Sequence, residues 1–230
     1  MRAFRTSLVV ATVALAACGG QVEPAPRRVD GVPLLATLSG LGMPGTRELR
    51  MGRLPEARAR LEMVLASDPD QVAALNDLAV TYYLEARFDA ARQLLEETIN
   101  RGGAREQQAA LVNLAELYAV DGYLTAAQAY LGSARAIDPA RPEPLFALAL
   151  LADARGDRAS ALSLMRAALR ADDLGVARRG FAFAYGEERQ HLDALVAEAQ
   201  GEPAGERWRE LRAGRFPVLA QVAQRHLEEP

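Results

Sequence analysis

The chain has no lysine, so all 27 of its basic residues are arginine. It has one cysteine, Cys18, which excludes an intrachain disulfide and leaves stability to packing. Its two histidines, His191 and His226, stand apart in polar helical contexts and read as solvated surface residues. With 30 acidic residues against 27 basic ones the formal net charge is −3, which removes the usual electrostatic drive toward nucleic acid. No glycine-rich phosphate loop is present, and after the first residues no apolar run is long enough to span a bilayer. Asp68 and Asp70 around Pro69, the pair Asp172-Asp173 and the pair Glu187-Glu188 read as helix caps and first-turn charges. None has the spacing of a calcium loop. No catalytic residue, metal ligand or cofactor is therefore expected, and an enzyme is the disfavoured class.

What is there begins with Arg2 and Arg5 followed by an apolar stretch over residues 8–17, too short for a permanent span and suited to a secretory signal. The run Leu15-Ala16-Ala17-Cys18-Gly19-Gly20 resembles the bacterial lipobox. That resemblance implies a signal peptide over 1–17, cleavage before Cys18 and acylation of its sulfur, with palmitate-type chains as the membrane anchor. Gly19, where an aspartate would imply the inner membrane, implies the outer membrane, with the helices facing the periplasm. Loss of Arg2 and Arg5 leaves 25 basic against 30 acidic residues in the mature chain. Residues 18–45 carry Pro24, Pro26, Pro33 and Pro44 and read as a tether. Within it Leu34, Leu35, Leu38 and Leu41 predict a short helix over 32–41 that covers the open end of the first repeat.

From residue 46 onward the signal is periodic. Gly52, Ala86, Gly122 and Gly156 are spaced by 34, 36 and 34 residues and mark turns between paired helices. Around the third turn, Leu111, Leu114, Ala115, Tyr118, Gly122, Leu124, Ala127, Leu131, Ala134 and Pro139 follow the pattern of the tetratricopeptide family. Large residues fill the seam of an antiparallel pair there, and Ala115 and Ala127 let the backbones approach. The same columns recur as Leu75, Leu78, Ala79, Tyr82, Phe88, Ala91 and Leu95, and again as Leu145, Leu148, Ala149, Ala161, Met165 and Ala168. In the first unit Pro44 and Gly45 shorten the leading helix. Gly102-Gly103 predicts a left-handed cap after the second unit. Residues 174–230 read as two degenerate repeats with a terminal cap, the first a helix over 174–185 paired with one over 187–200. Trp208 reads as core of the last pair, with an exposed interface anchor as the alternative, and Phe181, Phe183 and Tyr185, which alternate in a way unusual for a helix, are a secondary candidate for partner contact or close the solenoid. The expected fold is all-α: a right-handed superhelix, or α-solenoid, of about four to six helix pairs.

The resemblance implies a concave groove lined by the first helix of each pair. Its positions here are Asn76, Val80 and Tyr83, then Val112, Glu116 and Ala119, then Phe146, Leu150 and Asp153. The carboxylate clamp of the chaperone-binding relatives is not expected, since lysine is absent and Val80, Val112 and Phe146 stand in such places. An apolar peptide, helix or strand with few charges fits better. Tyr83 and Phe146 have core roles as the alternative reading. By resemblance to tetratricopeptide lipoproteins that pilot type IV or Tad pilus secretins, the chain is expected to be a lipid-anchored scaffold in envelope assembly. The expected partners are a protein such as a secretin or pilus component and, through the lipid, the membrane, without nucleic acid. An adaptor for cell-wall enzymes and an unrecognised enzyme are the alternatives.

Overall fold

The computed structural model describes residues 31–39 and 42–228. Among them twelve helices run α1 (Thr46–Arg50), α2 (Leu54–Ser67), α3 (Val72–Leu84), α4 (Phe88–Arg101), α5 (Ala104–Val120), α6 (Leu124–Ile137), α7 (Glu143–Ala154), α8 (Arg158–Ala171), α9 (Val176–Gly180), α10 (Glu187–Gln200), α11 (Gly205–Arg212) and α12 (Pro217–Glu228). Two short strands, β1 (Ala36–Thr37) and β2 (Phe181–Ala182), pair antiparallel. The helices stack as successive pairs, α1 with α2 through α7 with α8, each pair packing on the next. The chain is thus an all-α solenoid of about six helix pairs. Among the described residues no helix is long and apolar enough to cross a membrane.

The pairs form because their turns are locally determined. At Ala86 the amide donates to Tyr83 O at 3.0 Å and that of Arg87 to Tyr82 O at 2.8 Å, the two bonds of a Schellman cap. The same two bonds recur around Gly52, Gly122 and Gly156. The motif requires a left-handed residue, and φ is +71° at Gly52, +86° at Gly122 and +86° at Gly156. Ala86 holds φ +60° despite its Cβ, the one positive-φ residue other than glycine among those described.

Side-chain size then sets how the helices meet. Ala79, Ala115 and Ala149 on the first helices, and Ala91, Ala127 and Ala161 on the second, are fully buried. Leu95, Leu131 and Met165 fill the column behind them. Burying Leu131 alone stabilises by about 1.5–3 kcal/mol. As Pro44 and Gly45 anticipate, α1 has only five residues.

Four expectations are corrected. Residues 32–38 are not a capping helix and not a free tether: they run extended and buried, with β1 inside them. Gly102 and Gly103 are not left-handed, with φ −79° and −75°. Glycine serves close approach at the first of them, since a Cβ on Gly102 would lie 2.7 Å from Thr98 O. Over 174–185 only α9 is helical, and the alternating Phe181-Ala182 becomes strand β2 because it finds β1 as a partner. His191 and His226 are not solvated: they are 0 % and 5 % exposed, because α10 and α12 both pack against α7. Trp208 is core, at 2 % exposure.

Candidate functional site: the concave face

Helices α3, α5 and α7 are the leading helices of three successive pairs and carry the expected groove residues on one side. All of these are buried: Asn76, Val80, Tyr83, Val112, Glu116, Ala119, Phe146, Leu150 and Asp153. What buries them along α3 and α5 is the chain's own segment 31–39.

The segment lies in the groove through its backbone. The Val32 amide donates to Ala119 O at 2.9 Å. The Leu34 amide donates to Glu116 Oε2 at 2.6 Å, and the second carboxylate oxygen of Glu116 accepts from the Tyr83 hydroxyl. Asn113 grips Thr37 twice, accepting from its amide at 2.7 Å and donating to its carbonyl at 2.9 Å. Asn76 donates to the same carbonyl at 3.0 Å, and its own oxygen accepts from Asn113 at 2.8 Å. Asp77 accepts from the Ser39 amide at 2.7 Å and the Thr46 hydroxyl at 2.8 Å. Burial pushes the Asp77 carboxyl up from its ordinary value, against the opposing effect of those bonds and of Asn76.

Between the backbone contacts, Val32, Leu34, Leu35, Ala36 and Leu38 enter the continuous apolar core that also holds Val80, Val112 and Leu150. At the start of the segment, a Cβ on Gly31 would lie 1.8 Å from Val120 O, so only glycine fits that approach. On the other edge, β2 pairs with β1, Ala36 opposite Ala182 and Thr37 opposite Phe181. Phe146 supports this edge, its ring edge-on to Phe181 with centroids 5.6 Å apart. Beside Thr37 and Leu38 a cavity of about 380 Å³ remains open, with Arg105, Arg141 and Phe181 in its wall.

Asp153 belongs to a different cluster. Its two carboxylate oxygens each lie 2.8 Å from a histidine Nε2, Oδ2 from His191 on α10 and Oδ1 from His226 on α12. His226 Nδ1 lies 2.7 Å from Glu198 Oε2, too poorly aligned for a hydrogen bond but close enough for a charge contact. Glu198 also pairs with Arg158 at 2.6 Å and accepts from Trp208 Nε1 at 3.1 Å. The Trp208 ring stacks on His226 with centroids 4.0 Å apart.

Burial works against the Asp153 charge, but the hydrogen bonds from His191 and His226 outweigh it and hold the carboxyl well below the usual range. Burial likewise opposes the His226 charge, and Asp153 and Glu198 outweigh it, raising the imidazole above its ordinary 6.5. Glu198 is pulled below its ordinary range in spite of burial, through His226 and Arg158. Asp153, His191 and His226 are closed to solvent, Glu198 and Arg158 lie at the partly exposed rim, and the cluster ties α10 and α12 to α7. Among the described residues no group of three or more His, Cys, Asp or Glu is placed to hold a metal.

Asn113 and Asp77, which grip the segment, were not among the expected groove residues. Each stands nine positions before its turn residue, Gly122 and Ala86, one repeat apart in otherwise apolar helices. Two amide or acid side chains in one column of apolar helices are the signal that marks them. Cys18 lies outside the described residues.

A family model for the tetratricopeptide repeat matches residues 48–117. Those residues hold α2 to α4 whole and most of α5, and so carry two of the four Schellman turns and the Asn76–Asn113 pair. Among solved structures, a crystal structure of MamA is similar at 19 % identity with a TM-score of 0.42, covering 80 % of this chain and 96 % of that one. No curated protein matches. Tetratricopeptide repeats are generally non-catalytic scaffolds, and residues 48–117 carry such a repeat module for protein–protein interaction.

Proposed function

We propose that the chain is a lipid-anchored adaptor that holds a protein partner at the bacterial outer membrane during assembly of an envelope machine, with secretin piloting as its specific form. The observation that carries the reading is that side chains of α3 and α5 hold an extended backbone, here that of Thr37, in a chain that also has the lipobox-like Leu15 to Gly20. An anchor and a docking face in one chain raise the effective concentration of a captured subunit at the membrane, which is what piloting requires. In this reading Cys18 is acylated and residues 19–30 link the lipid to the solenoid. Asn76, Val80, Tyr83, Val112, Glu116, Phe146 and Leu150 build or brace the docking face, whereas Asp153, also expected there, is taken up by His191 and His226.

Two measurements test it. Cys18→Ser is expected to move the protein from the membrane pellet to the soluble fraction with its helical circular dichroism unchanged; continued sedimentation with membranes would sink the anchor. Crosslinking in the native envelope, read by mass spectrometry, is expected to enrich a secretin or pilus subunit. Enrichment of cell-wall hydrolases or synthases instead would replace piloting with positioning of those enzymes.

A further inference from the structure

The groove is already full, and the manner of filling is informative. Buried backbone is most often satisfied by other backbone, in a helix or a ladder. Residues 32–39 have a ladder only at Ala36 and Thr37. The amides of Val32, Leu34, Thr37 and Ser39 and the Thr37 carbonyl are met instead by Ala119 at the end of α5, Glu116, Asn113, Asp77 and Asn76. A groove reads a foreign extended peptide with the same means: side-chain amides fix direction and register, and apolar side chains between them are buried.

The trough presents polar groups to the segment: Asn76, Asn113 and Glu116 bond its backbone and Asp77 takes the Ser39 amide, and water satisfies such groups when the segment leaves. The segment itself, Val32-Pro33-Leu34-Leu35-Ala36-Thr37-Leu38-Ser39, carries no charge. The cavity beside Thr37 and Leu38, with exposed Leu174 and Val176 nearby on the chain, offers an incoming chain a place to start.

We propose that residues 32–38 are a resident pseudo-ligand that keeps the groove closed, and that a protein partner gains it only by supplying an extended, uncharged, leucine-rich segment that replaces them on the Asn76–Asn113 clamp. This rests on the reading of the concave face as the docking surface. It makes the adaptor self-limiting, since a tethered segment competes at an effective concentration in the millimolar range, which only a well-matched or multiply held partner overcomes.

The test uses the full chain and a fluorescent synthetic peptide of residues 31–39, read by anisotropy. Gly31→Val, which drives a side chain into Val120 O, and Leu35→Asp, which places a charge at a 1 % exposed position, loosen the resident segment without touching the clamp. Both variants are expected to bind the peptide at least about tenfold tighter than the parent, because the tethered competitor is weakened. Asn113→Ala added to either is expected to abolish that gain.

A loosened chain that keeps its helical signal yet binds no better overturns the proposal. So does loss of the helical signal in both loosened chains, which would make the segment structural. Doubling of mass by light scattering, reversed by the peptide, overturns the foreign partner in favour of a second copy. In the parent, amides of Leu34, Thr37 and Ser39 are expected to exchange hydrogen faster than those of mid-α5, and exchange only with global unfolding also overturns it. If these tests fail while envelope crosslinking still enriches one partner, the adaptor stands and its docking face lies elsewhere.

Discussion

Asp153→Asn is the most discriminating single substitution for the C-terminal half. The wild-type carboxylate, with side-chain exposure of 2 %, accepts from two histidines that are themselves enclosed. Asparagine keeps the shape but offers one acceptor oxygen, so its amide nitrogen faces one of the Nε2 atoms. Breaking a buried charge pair costs about 3–5 kcal/mol, whereas orphaning one neutral buried group costs about 1–3 kcal/mol. With His226 protonated the larger range applies. That corresponds to a fall in Tm of about 6–20 °C for a chain of this size.

The pH dependence follows from the two shifted groups. His226 is held above 6.5, so its contribution is whole below 6.5 and declines as pH rises through the raised value. Asp153 is held below 3.8, so its contribution is whole above 3.8 and is lost as pH falls through the depressed value. The lock is therefore strongest between those two values, and Asp153→Asn is expected to flatten both slopes. Trp208 is the chain's one tryptophan and stacks on His226, so its fluorescence in urea titrations reports this region directly. A loss under about 1 kcal/mol, the worth of an exposed ion pair, or an unchanged pH profile would refute the reasoning.

Ala86→Gly is expected to stabilise by about 0.5–1 kcal/mol, because relief of a left-handed Cβ exceeds the entropy cost of glycine; a loss of stability in urea denaturation contradicts this. Glu188 is buried and accepts from the Ala184 and Tyr185 amides, and burial, outweighing those bonds, pushes its carboxyl up to about 7 from 4.5. The stability it contributes is whole below 4.5 and is lost as pH rises past about 7, so Glu188→Gln should remove that slope and gain about 1–3 kcal/mol in mild base, measured by thermal melts across pH.

Much of the solenoid is legible in the sequence because its causes are local. The turn column Gly52, Ala86, Gly122 and Gly156 and the alanine columns behind it lie within single helix pairs, and short-range spacing specifies them. The alternation of Phe181, Phe183 and Tyr185 also showed its period of two, though not the strand it would pair with. What fills the groove could not be read in this way. Leu34 meets Glu116 across 82 residues and Thr37 meets Asn113 across 76, and a backbone gripped by side chains imposes no repeat on its own sequence. The apolar leucines of 32–41 fit a helix as readily as a strand, and the trough on α3 and α5 decided between them. In the same way the polar neighbours of His191 and His226 predicted solvent, until α10 and α12 packed on α7 and gave both imidazoles one carboxylate. Sequence alone determined a stack of helix pairs and its turns, because those bonds close within a few residues. Only the tertiary structure decided that the concave face is occupied and the C-terminal end locked, because both depend on groups brought together from distant parts of the chain.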